Sequence, residues 1–345
     1  MPDEHEKARV IALNKWPTNR TENVNAMNTM ETPETTNNSR TTPPERQPSQ
    51  ELETLLAQAL SFDKTGRYQE MLECAQHASD LDPGSALAFA CKARALQKLD
   101  RISEATIAND QALLLDTALA LAWLNRSGLQ VLQQRFADAL RSATRATELA
   151  PDDARAWINT GMAHINLHNL SAALDAMNHG LALDPNNLLA LQMKGEILYR
   201  CGRVRELASF MHTALESYPD DIQLLTLMIE ALRSTEDYTR IVPFTSHFIQ
   251  LTPDNRFAWD CHMRTLRSLG QFPAANEAID RLLELEPDEV RYWTLKADNL
   301  YRLEQYREAV SVAQHALQID PQFPPARRIH EKALKLMYQR KGKKK

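Results

Sequence analysis

PDDARAWINTGMAHINLHNLSAALDAMNHGLALDPNN, residues 151–187, closes on nearly the same short phrase with which it opens. Between Pro151 and Pro185 lie two stretches in which apolar and small residues recur every three or four places. That is the spacing of two amphipathic helices joined by a tight turn. Proline suits the junction because it ends one helix, and Asp153 and Asn187, two places further on, can accept a backbone N–H at the start of the next. Working outward in both directions, Pro83, Pro151, Pro185, Pro219, Pro253, Pro287 and Pro321 stand 34 residues apart, with one double step whose missing place is taken by Thr117. Ser85, Asp221 and Asn255 repeat the cap. A fixed period of this length marks a tandem array and takes precedence over any local motif.

Laying the period on the chain gives eight units, 52–85, 86–119, 120–153, 154–187, 188–221, 222–255, 256–289 and 290–323. The fourth place of each is bulky: Leu55, Phe89, Trp123, Trp157, Leu191, Leu225, Trp259 and Trp293. The eighth is mostly small, as at Ala59, Ala93, Ser127, Gly161, Gly195 and Ala297. Small residues also hold the twentieth (Ala105, Ala139, Ala173, Ala275, Ala309) and the twenty-seventh (Ala78, Ala112, Ala146, Gly180, Ala214, Ala316). Two antiparallel helices approach closely where small residues meet, and a large side chain fills the space between neighbouring pairs. This pattern over 52–323 resembles the tetratricopeptide repeat. The resemblance implies an all-α, right-handed α-solenoid of eight helix-turn-helix units.

The rest of the chain fits around that array. With Gly at 9 of 345 residues, helix is favoured over turn-rich sheet. Residues 1–50, rich in Thr, Asn and Pro beyond position 17, are expected to form a disordered leader, and Met27 and Met30 inside it are alternative translation starts. After the array, 324–345 reads as a capping helix whose Ile329, Ala333, Leu336 and Met337 cover the last unit, followed by a basic tail. Of the net charge of −5, residues 1–50 hold −1 and 324–345 hold +8, so the body keeps −12. An acidic body argues against nucleic acid as a partner. The tail is either a solubilised helix end or a weak contact for an anionic surface. No apolar run is long enough to span a membrane and the first residues lack a signal peptide, so a cytoplasmic location is expected. Four scattered cysteines suggest neither disulfides nor a zinc site.

Unit six departs from the pattern, with Ile229, Ile241 and Phe248 at places that should be small and Pro243 within its second helix. A kink or a late helix start is expected there, as local repacking, or as a hinge or a widened groove.

No phosphate loop, nucleophile elbow or HExxH is present, so no catalytic, cofactor-binding or metal residues are assigned. His164 and His168 are spaced for one helix face, but the first sits at a packing place and the second at a turn. Function is sought instead in the groove that, in this family, is lined by the first helix of each pair. The resemblance places Arg94, Asn125, Arg155 and Asn159 there, with Met162, Leu189, Gln192 and Met193 further along. It implies a protein or peptide ligand, with Asn125 and Asn159 bonding its backbone, Arg94 and Arg155 favouring acidic groups, and the methionines giving an adaptable apolar contact. The match to the family's carboxylate-binding device is partial: Asn125 and Arg155 agree, whereas Ala90, Arg94 and Asn159 do not. The expected role is a non-enzymatic scaffold or assembly factor. The alternative is a regulatory protein whose groove is closed by its own leader or basic tail, drawn to Asp260 and Asp298. Oligomeric state is left open.

Overall fold

The computed structural model describes residues 48–342. The expected leader lies outside them apart from its last three residues, which open α1 (Pro48–Thr65). Helices then alternate in two lengths. First helices of 13 residues, α3 (Ala86–Lys98), α5 (Ala120–Leu132), α7 (Ala154–Asn166), α9 (Leu188–Arg200), α11 (Ile222–Ser234), α13 (Arg256–Ser268) and α15 (Val290–Arg302), interleave with second helices. These second helices have 14 residues: α2 (Tyr68–Leu81), α4 (Ile102–Leu115), α6 (Phe136–Leu149), α8 (Leu170–Leu183), α10 (Val204–Ser217), α12 (Tyr238–Leu251), α14 (Phe272–Leu285) and α16 (Tyr306–Ile319). A final helix, α17 (Pro324–Gly342), packs on α15 and α16. Each helix packs on its neighbours in sequence, and first helices also touch the next first helix from α1 through α11, which makes the body an α-solenoid. None of the helices described is long and apolar enough to cross a membrane.

The junctions explain the register. The residue before each proline is driven out of the helical region, and Asp82 and Asp320 sit there extended. Asp116 adopts the same conformation without a following proline, because its carboxylate accepts the N–H of Ala118 at 2.7 Å and makes the turn itself. Ser85, Asp153, Asn187, Asp221 and Asn255 cap the next helix with their side chains as expected, and Glu289 does so as well. Within each pair the turn passes through a left-handed residue. Gly66, Gly202 and Gly270 fill this place, but so do Asp100, Gln134, His168, Glu236 and Glu304, all between φ 56° and 73°.

Packing follows the large and small alternation. Ala93, Ala105, Ala139, Ala173, Ala275 and Ala309 are wholly buried. At Gly195 a Cβ would lie 2.8 Å from both Leu227 Cδ1 and Met211 Cε, so a larger residue there would force these buried side chains to shift. The four tryptophans share one environment. Trp123, Trp157, Trp259 and Trp293 each donate the indole N–H to the carbonyl six residues earlier, at Thr117, Pro151, Pro253 and Pro287, over 2.7–2.8 Å. Each thereby ties the start of its own pair to the end of the preceding one.

In unit six α12 starts in register, and Pro243 is absorbed within a full-length helix. The change is in its first turn. Elsewhere the fourth residue of a second helix donates to the N-cap carbonyl, as Ala105 does to Arg101, whereas here the third residue, Arg240, donates to Asp237 at 3.2 Å. Ile229, Ile241 and Phe248 are buried, and Phe248 meets Phe257 with ring centroids 6.2 Å apart, so larger side chains fill the space that alanines occupy in other units. At the far end Ala326 and Ala333 of α17 are buried while Ile329, Leu336 and Met337 are half-buried. Cys91 and Cys261 are buried, Cys74 is half-buried, Cys201 is exposed, and all four are free thiols.

Candidate functional site

Along the first helices, two contacts recur between successive units and shape the face on which the expected ligand residues lie. One joins the twelfth place of a unit to the ninth of the next. Asp63 on α1 accepts a hydrogen bond from Arg94 Nε on α3 at 3.2 Å, and Arg267 on α13 reaches Asp298 on α15 at 2.5 Å while donating to Asn299 Oδ1 at 2.8 Å. Between α3 and α5 the same place is filled by Gln97 against Gly128, where a Cβ would stand 2.7 Å from the Gln97 amide nitrogen. The other contact joins the sixth place to the carbonyl of the fifth in the preceding unit: Asn125 Nδ2 donates to Ala90 O at 2.8 Å, and Asn159 Nδ2 to Leu124 O at 3.2 Å and Ser127 Oγ at 2.7 Å.

The structure brings Arg94 and Arg155 together. Arg155 Nη1 on α7 lies 3.5 Å from Asp63, the same carboxylate that Arg94 engages. Because α1 and α7 are separated by α3 and α5, this contact requires the first helices to curl toward a common inner side. Arg155 also grips Asp153 through Nη2 at 2.7 Å. Burial would raise the Asp153 carboxyl, but the hydrogen bonds and charge of Arg155 outweigh it and hold the group below its ordinary value. Arg155 is raised in turn, chiefly by its hydrogen bond to Asp153.

The remaining expected residues divide by depth. Asn125 is 1% exposed, with its Oδ1 buried and unpartnered. Met162 and Met193, 5% and 9% exposed, belong to the core, whereas Leu189 is half-buried and Gln192 donates to Asp221 at 2.9 Å. Asp63 was not anticipated, because the family's lining places omit the twelfth; its partner on α7 lies three units away in sequence. The inward acids Asp260 and Asp298 are already occupied, the first by Arg264 and the second by Arg267 and Arg302. Desolvation, opposed by Asp298, leaves Arg267 below the ordinary guanidinium value. His168 sits in the left-handed turn, His164 is held below the usual imidazole range by burial, and among the described residues no three metal-ligating side chains converge.

Comparison with known proteins agrees with this geometry. The sequence profile described as tetratricopeptide repeat matches residues 130–188 and 263–324. No curated protein sequence matches. Among solved structures, pilF of Pseudomonas aeruginosa is 19% identical, with a TM-score of 0.53 over 60% of this chain and 94% of its own. The APC/C hetero-tetramer Cut9–Hcn1 is 15% identical, with a TM-score of 0.47 over 81% of this chain and 55% of its own. YrrB, a repeat protein reported with an unusual peptide-binding site, is 19% identical, with a TM-score of 0.46 over 54% and 96%. With helical hairpins stacked in a 34-residue register and profile matches in two separate parts of the array, the chain carries tetratricopeptide repeats, a fold that generally serves as a protein–protein interaction scaffold.

Proposed function

We propose that the chain is a non-enzymatic cytoplasmic scaffold or assembly factor that holds an acidic peptide or protein segment along the inner side of its first helices. The observation that carries this reading is the convergence of Arg94 and Arg155, from non-adjacent units, on the single carboxylate of Asp63. Asp63 stands where a ligand carboxylate would go, and a charge-assisted pair to two guanidinium groups favours an acidic side chain or chain terminus. Leu189 and Gln192 supply the accessible continuation of the site, while Asn125, Asn159, Met162 and Met193 support it from beneath, fixing the spacing of the helices that present the arginines.

Capture from native lysate by the tagged chain, followed by mass spectrometry and then titration of the recovered partner's acidic segment, tests the reading. Arg94→Ala with Arg155→Ala should weaken binding about tenfold or more, measured at a temperature where circular dichroism shows the variant folded, because taking both cations from the nearly buried Asp63 also lowers the melting temperature. A partner held equally well by the doubly substituted chain would overturn the assignment.

A further inference from the structure

The second helices carry a separate feature on the opposite side of the hairpins. On α4, Ile107 and Leu114 are 71% and 80% exposed, the two most exposed large aliphatic side chains among the described residues. Seven residues apart on one helix, they form a single stripe. The equivalent places are Glu73 and Asp80 on α2, and Arg141 and Glu148 on α6, so α4 alone among these three presents an apolar ridge where its neighbours are charged.

Beside the ridge lies a cleft of about 480 Å³ between α2 and α4. Its floor is apolar, made by Leu72 and Leu96, both nearly closed to solvent. Glu73, Asp80 and Glu104 line its walls, with Lys92 and Arg101 as the cations. Arg101 is taken by Glu104 at 2.7 Å. Glu73 and Asp80 receive amide N–H bonds from Gln69 and Gln76 of their own helix, at 3.2 and 2.7 Å, and among the described residues neither has a cation paired to it. An apolar floor beneath unpaired carboxylates fits a side chain with an aliphatic stem and a cationic head.

We infer that this face is a second protein-docking surface, distinct from the inner site, and that its occupant is a basic amphipathic helix of a partner protein. Apolar side chains spaced seven apart cover Ile107 and Leu114, and a lysine or arginine enters the cleft to meet Glu73 and Asp80. A second copy of this chain meeting the same face fits less well, because Arg126, Arg141 and Arg145 of the adjoining unit are engaged, by Asp110, Asp138 and Glu148.

The test uses the full chain and a synthetic helical peptide of about 18 residues with leucines seven apart flanked by arginine and lysine, read by fluorescence anisotropy. A copy with glutamate at every basic place is the control. The basic peptide should bind the parent chain, and its Kd should rise about tenfold or more with either Ile107→Asp plus Leu114→Asp or Glu73→Gln plus Asp80→Asn. Arg94→Ala plus Arg155→Ala should leave that Kd unchanged, which separates this surface from the inner site. All four convex positions are exposed or at a cleft wall, so thermal unfolding should remain near that of the parent. Absence of binding, equal binding by the acidic copy, or binding indifferent to both convex pairs overturns the inference. So does a dimer of the parent chain, seen by sedimentation, that Ile107→Asp plus Leu114→Asp dissolves, since it would give the ridge to a second copy.

Discussion

Arg327 of α17 donates through Nη2 to the carbonyl of Pro321 at 2.8 Å, the bond that Trp157 makes to Pro151 and Trp293 to Pro287. The last helix therefore enters the array as a further first helix would, with a guanidinium in place of the indole.

The tryptophan bond should be measurable by itself. Trp157→Phe keeps most of the apolar volume and removes the donor, leaving the Pro151 carbonyl to solvent. A loss of about 1 kcal/mol in urea unfolding is expected, against roughly 3 kcal/mol or more for Trp157→Ala, which also opens a cavity. Equal losses for the two would mean that the ring alone matters.

Left-handed turns give a backbone prediction free of packing effects. At Gly202, with φ 68°, a Cβ would meet nothing within 4 Å, so Gly202→Ala carries only the conformational cost. About 1 kcal/mol of destabilisation is expected. Gln134→Gly at the corresponding turn should change stability by less, because relief of the same strain is offset by a more flexible unfolded chain.

The asparagines join adjacent units. Replacing Asn125 with alanine removes the buried amide bond to Ala90 and should lower the unfolding free energy by about 1–2 kcal/mol even with no ligand present. Asn159→Ala, at a half-buried place, should cost less. If both variants melt with the parent while binding weakens, their amides serve the ligand rather than the stack.

Acid should loosen the packing around His164 and His262. Burial holds His262, which sits 2.8 Å from Thr245 Oγ, below the ordinary imidazole value of 6.5, and His164 is lowered in the same way. A depressed folded value means the unfolded chain takes up these protons first. The stability they contribute is whole above about pH 6.5 and falls as the pH drops through the folded values. The melting temperature should decline between about pH 7 and about pH 5. His262→Gln should flatten the slope; an unchanged slope would place the titration elsewhere.

How far the sequence could be read differs by feature. Helix limits, the caps at Ser85, Asp153, Asn187, Asp221 and Asn255, and the shared site of the four tryptophans were legible because each depends on residues a few places apart in the sequence. The left-handed turn at Asp100, Gln134, His168, Glu236 and Glu304 was not, since the chain imposes it at a fixed place whatever residue stands there. Nor was the direction of the Asn125 and Asn159 amides, which is decided by how closely α3, α5 and α7 approach. The meeting of Asp63 with Arg155 depends on curvature accumulated over several hairpins, and no local spacing encodes that.

That last contact changes how the array should come apart. A solenoid held by neighbours alone behaves as a row of beads, each parting from the next independently of the rest. A bond spanning from α1 to α7 ties beads that are not adjacent, so the opening hairpins should yield to heat or to pulling as one block, while those after α8 peel away singly. Cutting the tether at Arg155 would turn that block back into separate links.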